Sequence, residues 1–330
     1  MKTLFTAFLT GWIFCGFSSA ESTSANVQLG HGVNLGNMLE APKEGAWSQT
    51  VHDEYFPTIR QAGFTLIRVP ICWAAHAGPA PDYTIDPTFL SRVDWVVSQT
   101  EKNNLTAILD YHNDDKLMHD PDANTARFVA TWKQIAEHYK DAPATILFEL
   151  LNEPNGKLDS PHWNDLLLKT LPVIRETNPT RNLVVGPAQW NSIRALEKLV
   201  LPDNDNHILV TFHFYDPMSF THQGASWIQG SDKWLGNRWG TDVEKKAVTD
   251  SFDKAAAWGK AHDRPLYLGE FGAFSKGDID SRVRWTAFVA RAAESHGIPW
   301  TYWEFCAGFG VYDPQAHAWR QPLLDALLPK

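Results

Sequence analysis

Cysteine is scarce in this chain: three residues in 330, one of them Cys15 in an apolar N-terminal stretch. The two that remain beyond that stretch, Cys72 and Cys306, exclude a disulfide framework, although export would permit one bond between them. Positive charge is also short. Without Lys2 the chain carries 28 Lys and Arg against 38 Asp and Glu, a balance of −10 that argues against nucleic acid as a partner. No Gly-x-Gly-x-x-Gly turn follows the first strand-like run and no Walker loop occurs anywhere, so the glycine-rich cradles of nucleotide enzymes are missing. Repeats of short period, low-complexity tracts and Ser/Pro-rich linkers are absent as well.

The N-terminal "MKTLFTAFLTGWIFCGFSSA" has a basic start, an apolar centre and a small-residue exit, the pattern of a cleaved secretory signal. Its apolar core is shorter than the roughly 20 residues a bilayer span needs. The expected organisation is a leader over residues 1–20 and a single domain over 21–330. The mature chain is then a secreted monomer, extracellular or periplasmic, with no membrane attachment.

Tryptophan is plentiful, at 15 residues. Indole faces fill cores or make platforms for flat ligand faces, and Trp227, Trp234 and Trp239 lie in a polar, Gly-rich loop where ligand contact and loop anchoring are both open readings. A metal is not expected. "HNDDKLMHDPD" gathers His112, Asp114, Asp115, His119, Asp120 and Asp122, but it lacks the Gly and closing Glu of an EF-hand, and the chain has no His-Glu-x-x-His pair. The reading is a solvated loop ending in an N-cap before a helix at about Asn124.

Short apolar runs alternate with helical patterns along the chain. The runs are 31–37, 65–71, 106–112, 145–152, 182–188, 208–215, 265–272 and 299–306. "DPTFLSRVDWVVSQTEK" reads as a helix with Asp86 as N-cap before Pro87, and "DSRVRWTAFVARAAESHG" as one with Asp280 as cap and Gly297 as stop. Eight such strands with intervening helices predict an α/β fold, a (β/α)8 TIM barrel, ahead of a doubly wound open sheet. Barrel enzymes work at the C-terminal ends of their strands, and there the runs place Asn34, Asn37, Arg68, His112, Asn152, Glu153, His213, Tyr215, Glu270 and Trp303. Glu153 follows the fourth run and Glu270 ends the seventh, so the two face each other across the barrel mouth. Two facing carboxylates are what glycosidic bond cleavage requires: one protonates the departing oxygen, the other attacks or activates water.

The segments "GVNLGN", "IRVPICW", "FELLNEPNG", "FHFYDP", "LYLGEFGAF" and "YWEF" resemble the strand-end signatures of glycoside hydrolase family 5, from about His31 to Leu328. The resemblance is to its compact endo-β-glucanases, some of which also cleave mannan. It implies a retaining enzyme acting on cellulose and mixed-linkage β-glucan without a cofactor, with Glu153 as acid/base and Glu270 as nucleophile. It further implies Asn152 at the sugar 2-hydroxyl, Arg68 and Tyr215 as partners of Glu270, and His112 and His213 as orienting groups, with Trp303 as the floor of the cleaved subsite. Glu40, Asn37, Asn113, Trp190, His222 and Trp227 match substrate-contacting loop positions. One departure is Asn113, where some relatives carry a second histidine after His112. A mannanase, a transglycosylase and a barrel lectin are the alternatives; retention of both glutamates disfavours the lectin.

Overall fold

A computed structural model describes residues 29–330, so the leader expected over 1–20 lies outside them. Eight parallel strands close into a barrel in sequence order: β1 (His31–Asn34), β2 (Leu66–Ile71), β3 (Thr106–Tyr111), β4 (Ile146–Glu149), β5 (Leu183–Val185), β6 (Ile208–Phe214), β7 (Leu266–Phe271) and β8 (Trp300–Tyr302). Closure is made by β1 on β8, with His31 opposite Trp300 and Val33 opposite Tyr302. Each strand falls within its expected run, and the open sheet is excluded by that closing pair.

Period-two alternation sorts these strands into an inner and an outer set. Inside, Leu66, Ile108, Leu147, Val184, Leu209 and Tyr267 form an apolar plug. Two residues further along the strands, the same inward register brings Arg68, Asp110 and Glu149, all fully buried. The barrel interior therefore changes from aliphatic to ionic within one layer, which places the polar chemistry at the C-terminal mouth. The outward set, including Ile67, Val69, Ala107, Leu109 and Phe148, packs against the helical ring in the larger core.

The helix Pro87–Lys102 starts as expected, with the Asp86 carboxylate accepting from the Thr88 N–H at 2.8 Å. The helix Ile279–Ser295 is capped by Asp278, not Asp280: Asp278 has the extended backbone of a cap and accepts from the Ser281 N–H at 2.9 Å, whereas Asp280 is already in the first turn. Gly297, at φ +67°, ends that segment. The acidic loop after β3 resolves into two caps. Asp114 caps Asp115–His119 and binds Arg127 at 2.5 Å, and Asp120 caps Pro121–His138, a helix that begins three residues before the expected Asn124. Cys72 and Cys306 are buried and free, so the bond that export would permit is not formed. Among the described residues no helix is long and apolar enough to cross a membrane.

Candidate active site

Arg68 organises the mouth of the barrel. Its Nε and Nη2 donate to Glu149 at 2.6 and 2.9 Å, Nη2 also to Asn152 Oδ1 at 2.8 Å, and Nη1 to Glu270 at 2.7 Å and to Asn34 Oδ1 at 3.0 Å. The Asp110 carboxylate lies 3.0 Å from the same guanidinium. A buried guanidinium needs carboxylate partners, and each of these is a planar acceptor that its rigid fork can reach. Asn34 locks the frame by donating to the carbonyls of Gly269 and Tyr302 on β7 and β8.

Glu270 sits inside β7 and is held from two sides, by Arg68 on Oε1 and by the Tyr215 hydroxyl on Oε2 at 2.8 Å. Glu153 is placed differently from the expectation. β4 ends at Glu149, and Glu153 stands four residues beyond it at φ +48°, a left-handed conformation costly for a side chain with a Cβ. That turn lifts its carboxyl over the mouth, where the side chain is 24 % exposed and accepts from His213 Nδ1 at 2.7 Å. Burial pushes the Glu153 carboxyl up to about 7, against the opposite pull of His112 and Arg68.

The two histidines are neutral, both lowered to about 4, first by burial. His112 gives Nδ1 to Asp110 at 2.5 Å and receives the Asn152 amide at Nε2, 3.2 Å away, which assigns the proton to Nδ1. Its ring lies parallel to Trp303, 5.8 Å between centroids. His213 is placed by a register shift between Phe212 and His213 that sets it opposite Glu270 on β7. Gly269 makes room for it, since a Cβ there would meet the imidazole at 2.9 Å. His213 Nε2 is 3.3 Å from the Asn191 amide nitrogen.

The loop positions divide. Trp190 and Trp227 are 58 % and 59 % exposed at the mouth, and His222 packs edge-on against Tyr215 and Trp227. Asn113 donates to the Glu40 carbonyl at 3.1 Å. Glu40 itself is buried, its carboxylate accepting from the N–H groups of Asn37 and Met38, and burial pushes it up to about 8. Of the tryptophan-rich loop, only Trp239 is core, packed on Phe288, so the anchoring reading holds for that member.

Four residues of the site escaped sequence reading. Asp110 and Glu149 lie inside runs that read as apolar, yet their inward parity with Ile108 and Leu147 was available as a signal. Glu304 is buried and accepts from the N–H groups of Cys306, Ala307 and Phe309, fixing the loop after Trp303. Asn191 belongs to a left-handed run, Gln189, Trp190 and Asn191 at φ +61°, +59° and +52°, that nothing in the sequence announces.

An oxygen of Glu153, an oxygen of Glu270 and a nitrogen of His213 all lie within 4.8 Å of one another. Carboxylates so close at the mouth of a barrel are suited to cleaving a glycosidic bond, and fold and site together define the class as a barrel glycoside hydrolase. The sequence profile of the cellulase family, glycosyl hydrolase family 5, matches residues 26–308, and the chain belongs to that family. It is 38% identical over 277 residues to Endoglucanase H of Acetivibrio thermocellus and 33% identical over 303 residues to the cellulase/esterase CelE of the same organism. Those matches cover 84% and 86% of this chain but only 29% and 36% of the relatives, which are much longer proteins. Cel5A of Thermotoga maritima, solved with mannotriose and with cellobiose, superimposes with a TM-score of 0.90 at 46% identity, covering 91% of this chain and 97% of that one.

Proposed function

We propose that this protein is a retaining endo-β-1,4-glucanase, hydrolysing internal bonds of cellulose and mixed-linkage β-glucan by double displacement. The observation that carries the reading is the spacing of Glu153 and Glu270. One oxygen from each lies within 4.8 Å of the other, a spacing that supports the roughly 5 to 5.5 Å of retaining pairs over the roughly 6.5 to 9.5 Å of inverting ones.

In the first step Glu153 donates its proton to the departing oxygen while Glu270 attacks the anomeric carbon. Arg68 and Tyr215 aim the attacking carboxylate, and Asn152 is oriented by Arg68 and His112 to meet the sugar 2-hydroxyl as positive charge develops. Formation of the glycosyl ester removes the negative charge of Glu270. Glu153, now ionised, takes a proton from water, which attacks the ester and restores both carboxyls. Trp303 and His112 form the wall under the reacting sugar.

A broader cleft is favoured by one observation: Thermotoga maritima Cel5A, 46% identical, was solved with mannotriose. Glucomannan therefore belongs among the substrates to be tried. Reducing-sugar release from carboxymethyl cellulose, mixed-linkage β-glucan and glucomannan, with Glu270→Gln as control, tests the reading. Release from the glucans that the control abolishes is expected; binding without release from any polymer would replace the enzyme by a lectin. The leader extends the proposal to a secreted monomer, checked by the N-terminal sequence and molar mass of protein recovered outside the cytoplasm.

A further inference from the structure

Arg68 carries one positive charge, and three carboxylates stand against it: Glu149, Glu270 and Asp110. Any two of them already exceed what it can neutralise. Glu149 takes the guanidinium fork with both oxygens and Glu270 takes Nη1. Asp110 approaches only through Oδ2, 3.0 Å from Nη2, whose two N–H bonds are already directed at Glu149 and Asn152. Asp110 is fully buried, and its Oδ1 has no hydrogen-bond partner among the described residues. A surplus buried carboxylate with one idle oxygen costs stability, so pairing with Arg68 does not account for its presence.

The hydrogen bond that Asp110 does accept comes from His112 Nδ1, at 2.5 Å. With the proton held there, the opposite ring nitrogen is a bare acceptor, and it takes one N–H of the Asn152 amide at 3.2 Å. The amide oxygen is tied at the same time to Arg68 Nη2 at 2.8 Å. Arg68, Asp110, His112 and Asn152 thus close a ring. A primary amide can be turned end for end without changing its shape, so only the groups around it choose its direction. Here both neighbours choose alike: the guanidinium can only donate, and the imidazole nitrogen has no proton to give. The second N–H of Asn152 has no protein partner among the described residues, and it belongs to the residue next to Glu153 at the mouth.

We propose that Asp110 is a positioning residue for recognition of the sugar 2-hydroxyl: it sets the tautomer of His112, His112 sets the direction of the Asn152 amide, and the free amide N–H is thereby aimed at the hydroxyl. The inference rests on the glucanase reading above and adds to it a residue that never touches the substrate. What His112 needs from position 110 is an acceptor and not a charge. An Asn there supplies one, with its oxygen in the place of Oδ2 beside Arg68 and His112 and its NH2 in the place of the idle Oδ1. An Ala supplies none and leaves the imidazole free to exchange its proton between the two nitrogens.

The test compares wild type, Asp110→Ala and Asp110→Asn on an activated aryl β-cellobioside and on its analogue lacking the 2-hydroxyl of the glucosyl unit at the cleaved bond. On the parent glycoside Asp110→Ala is expected to lower kcat by up to about 10²-fold with little change in KM, and Asp110→Asn to recover most of the rate. On the 2-deoxy analogue both variants should run close to wild type, since the contact they disturb is no longer made. Equal losses on the two substrates would assign Asp110 to the fold alone, and an Asn variant as slow as the Ala variant would assign it to charge; either overturns the proposal. Nitrogen-15 spectra of the His112 ring in wild type, identified by its loss in His112→Gln, need neither turnover nor a folded Asp110→Ala. A proton on Nδ1 is expected, and one on Nε2 would overturn the proposal. Wild type that cleaves neither glycoside while keeping the Nδ1 proton would sink the glucanase reading alone.

Discussion

At the scale of single residues, what separates Glu153 from Glu270 is where the backbone puts them. Glu270 lies in a strand between a guanidinium and a phenol, and Glu153 stands on a left-handed turn against a neutral imidazole, its carboxyl pushed up to about 7. In the proposed mechanism Glu153 works as the acid only when protonated, so kcat/KM should fall as pH rises through about 7. A pH–rate profile on an oligosaccharide checks this. Glu153→Gln should lose that alkaline limb together with about 10²–10⁴ in rate, the usual share of a general acid. In the same proposal Asn191, whose amide lies 3.3 Å from His213, would act one step back, through that imidazole. Its replacement by Ala should lower kcat by up to about 10²-fold with little change in KM, because a misplaced proton donor costs rate more than binding. A shifted alkaline limb in that variant would separate a positioning role from simple loosening of the fold.

At the scale of elements, strands do most of the placing. The layer Arg68–Asp110–Glu149 sits two residues above Leu66–Ile108–Leu147 because side chains alternate along each strand and the strands are in parallel register. Removing Arg68 would strand two fully buried carboxylates and Glu270. Arg68→Met should therefore cost about 3–5 kcal/mol of stability, measurable by urea unfolding, besides abolishing activity. The barrel itself was legible in the sequence, since eight apolar runs and their polar ends needed only period and order. The ionic layer was faint, because Asp110 and Glu149 are single charges in otherwise uncharged runs, "TAILDYH" and "TILFELLN", marked only by their inward parity with Ile108 and Leu147. Turn geometry was hidden for another reason: the left-handed residues Glu153 and Gln189–Asn191 are not glycines, so no residue type marks them. The misplaced cap at Asp280 arose from two aspartates, Asp278 and Asp280, two positions apart, and only the extended backbone at Asp278 distinguishes them.

At the scale of the whole molecule, the mouth concentrates carboxyls that burial holds above their ordinary range: Glu40 up to about 8, and Asp110, Glu153 and Glu304 up to about 7. Their folded values lie above their unfolded ones, so the native state binds more protons and its stability is complete below the ordinary carboxyl range. That stability is lost as pH rises through about 7 to 8. Thermal unfolding followed between pH 5 and 9 should show Tm declining across that window, with a shallower decline in Glu40→Gln. The proposed acid, Glu153, and the other raised carboxyls stand on loops and strand ends at the same mouth of the barrel, so the activity and stability limits are expected in the same pH window.

In the proposed mechanism Glu270 carries the sugar between two displacements, and a mechanism-based trap reads that step directly. A 2-deoxy-2-fluoro-β-cellobioside with an activated leaving group should inactivate the protein and add one glycosyl mass to the peptide containing Glu270. An adduct on Glu153, or steady turnover to an inverted product with no adduct at all, would rule out Glu270 as the nucleophile.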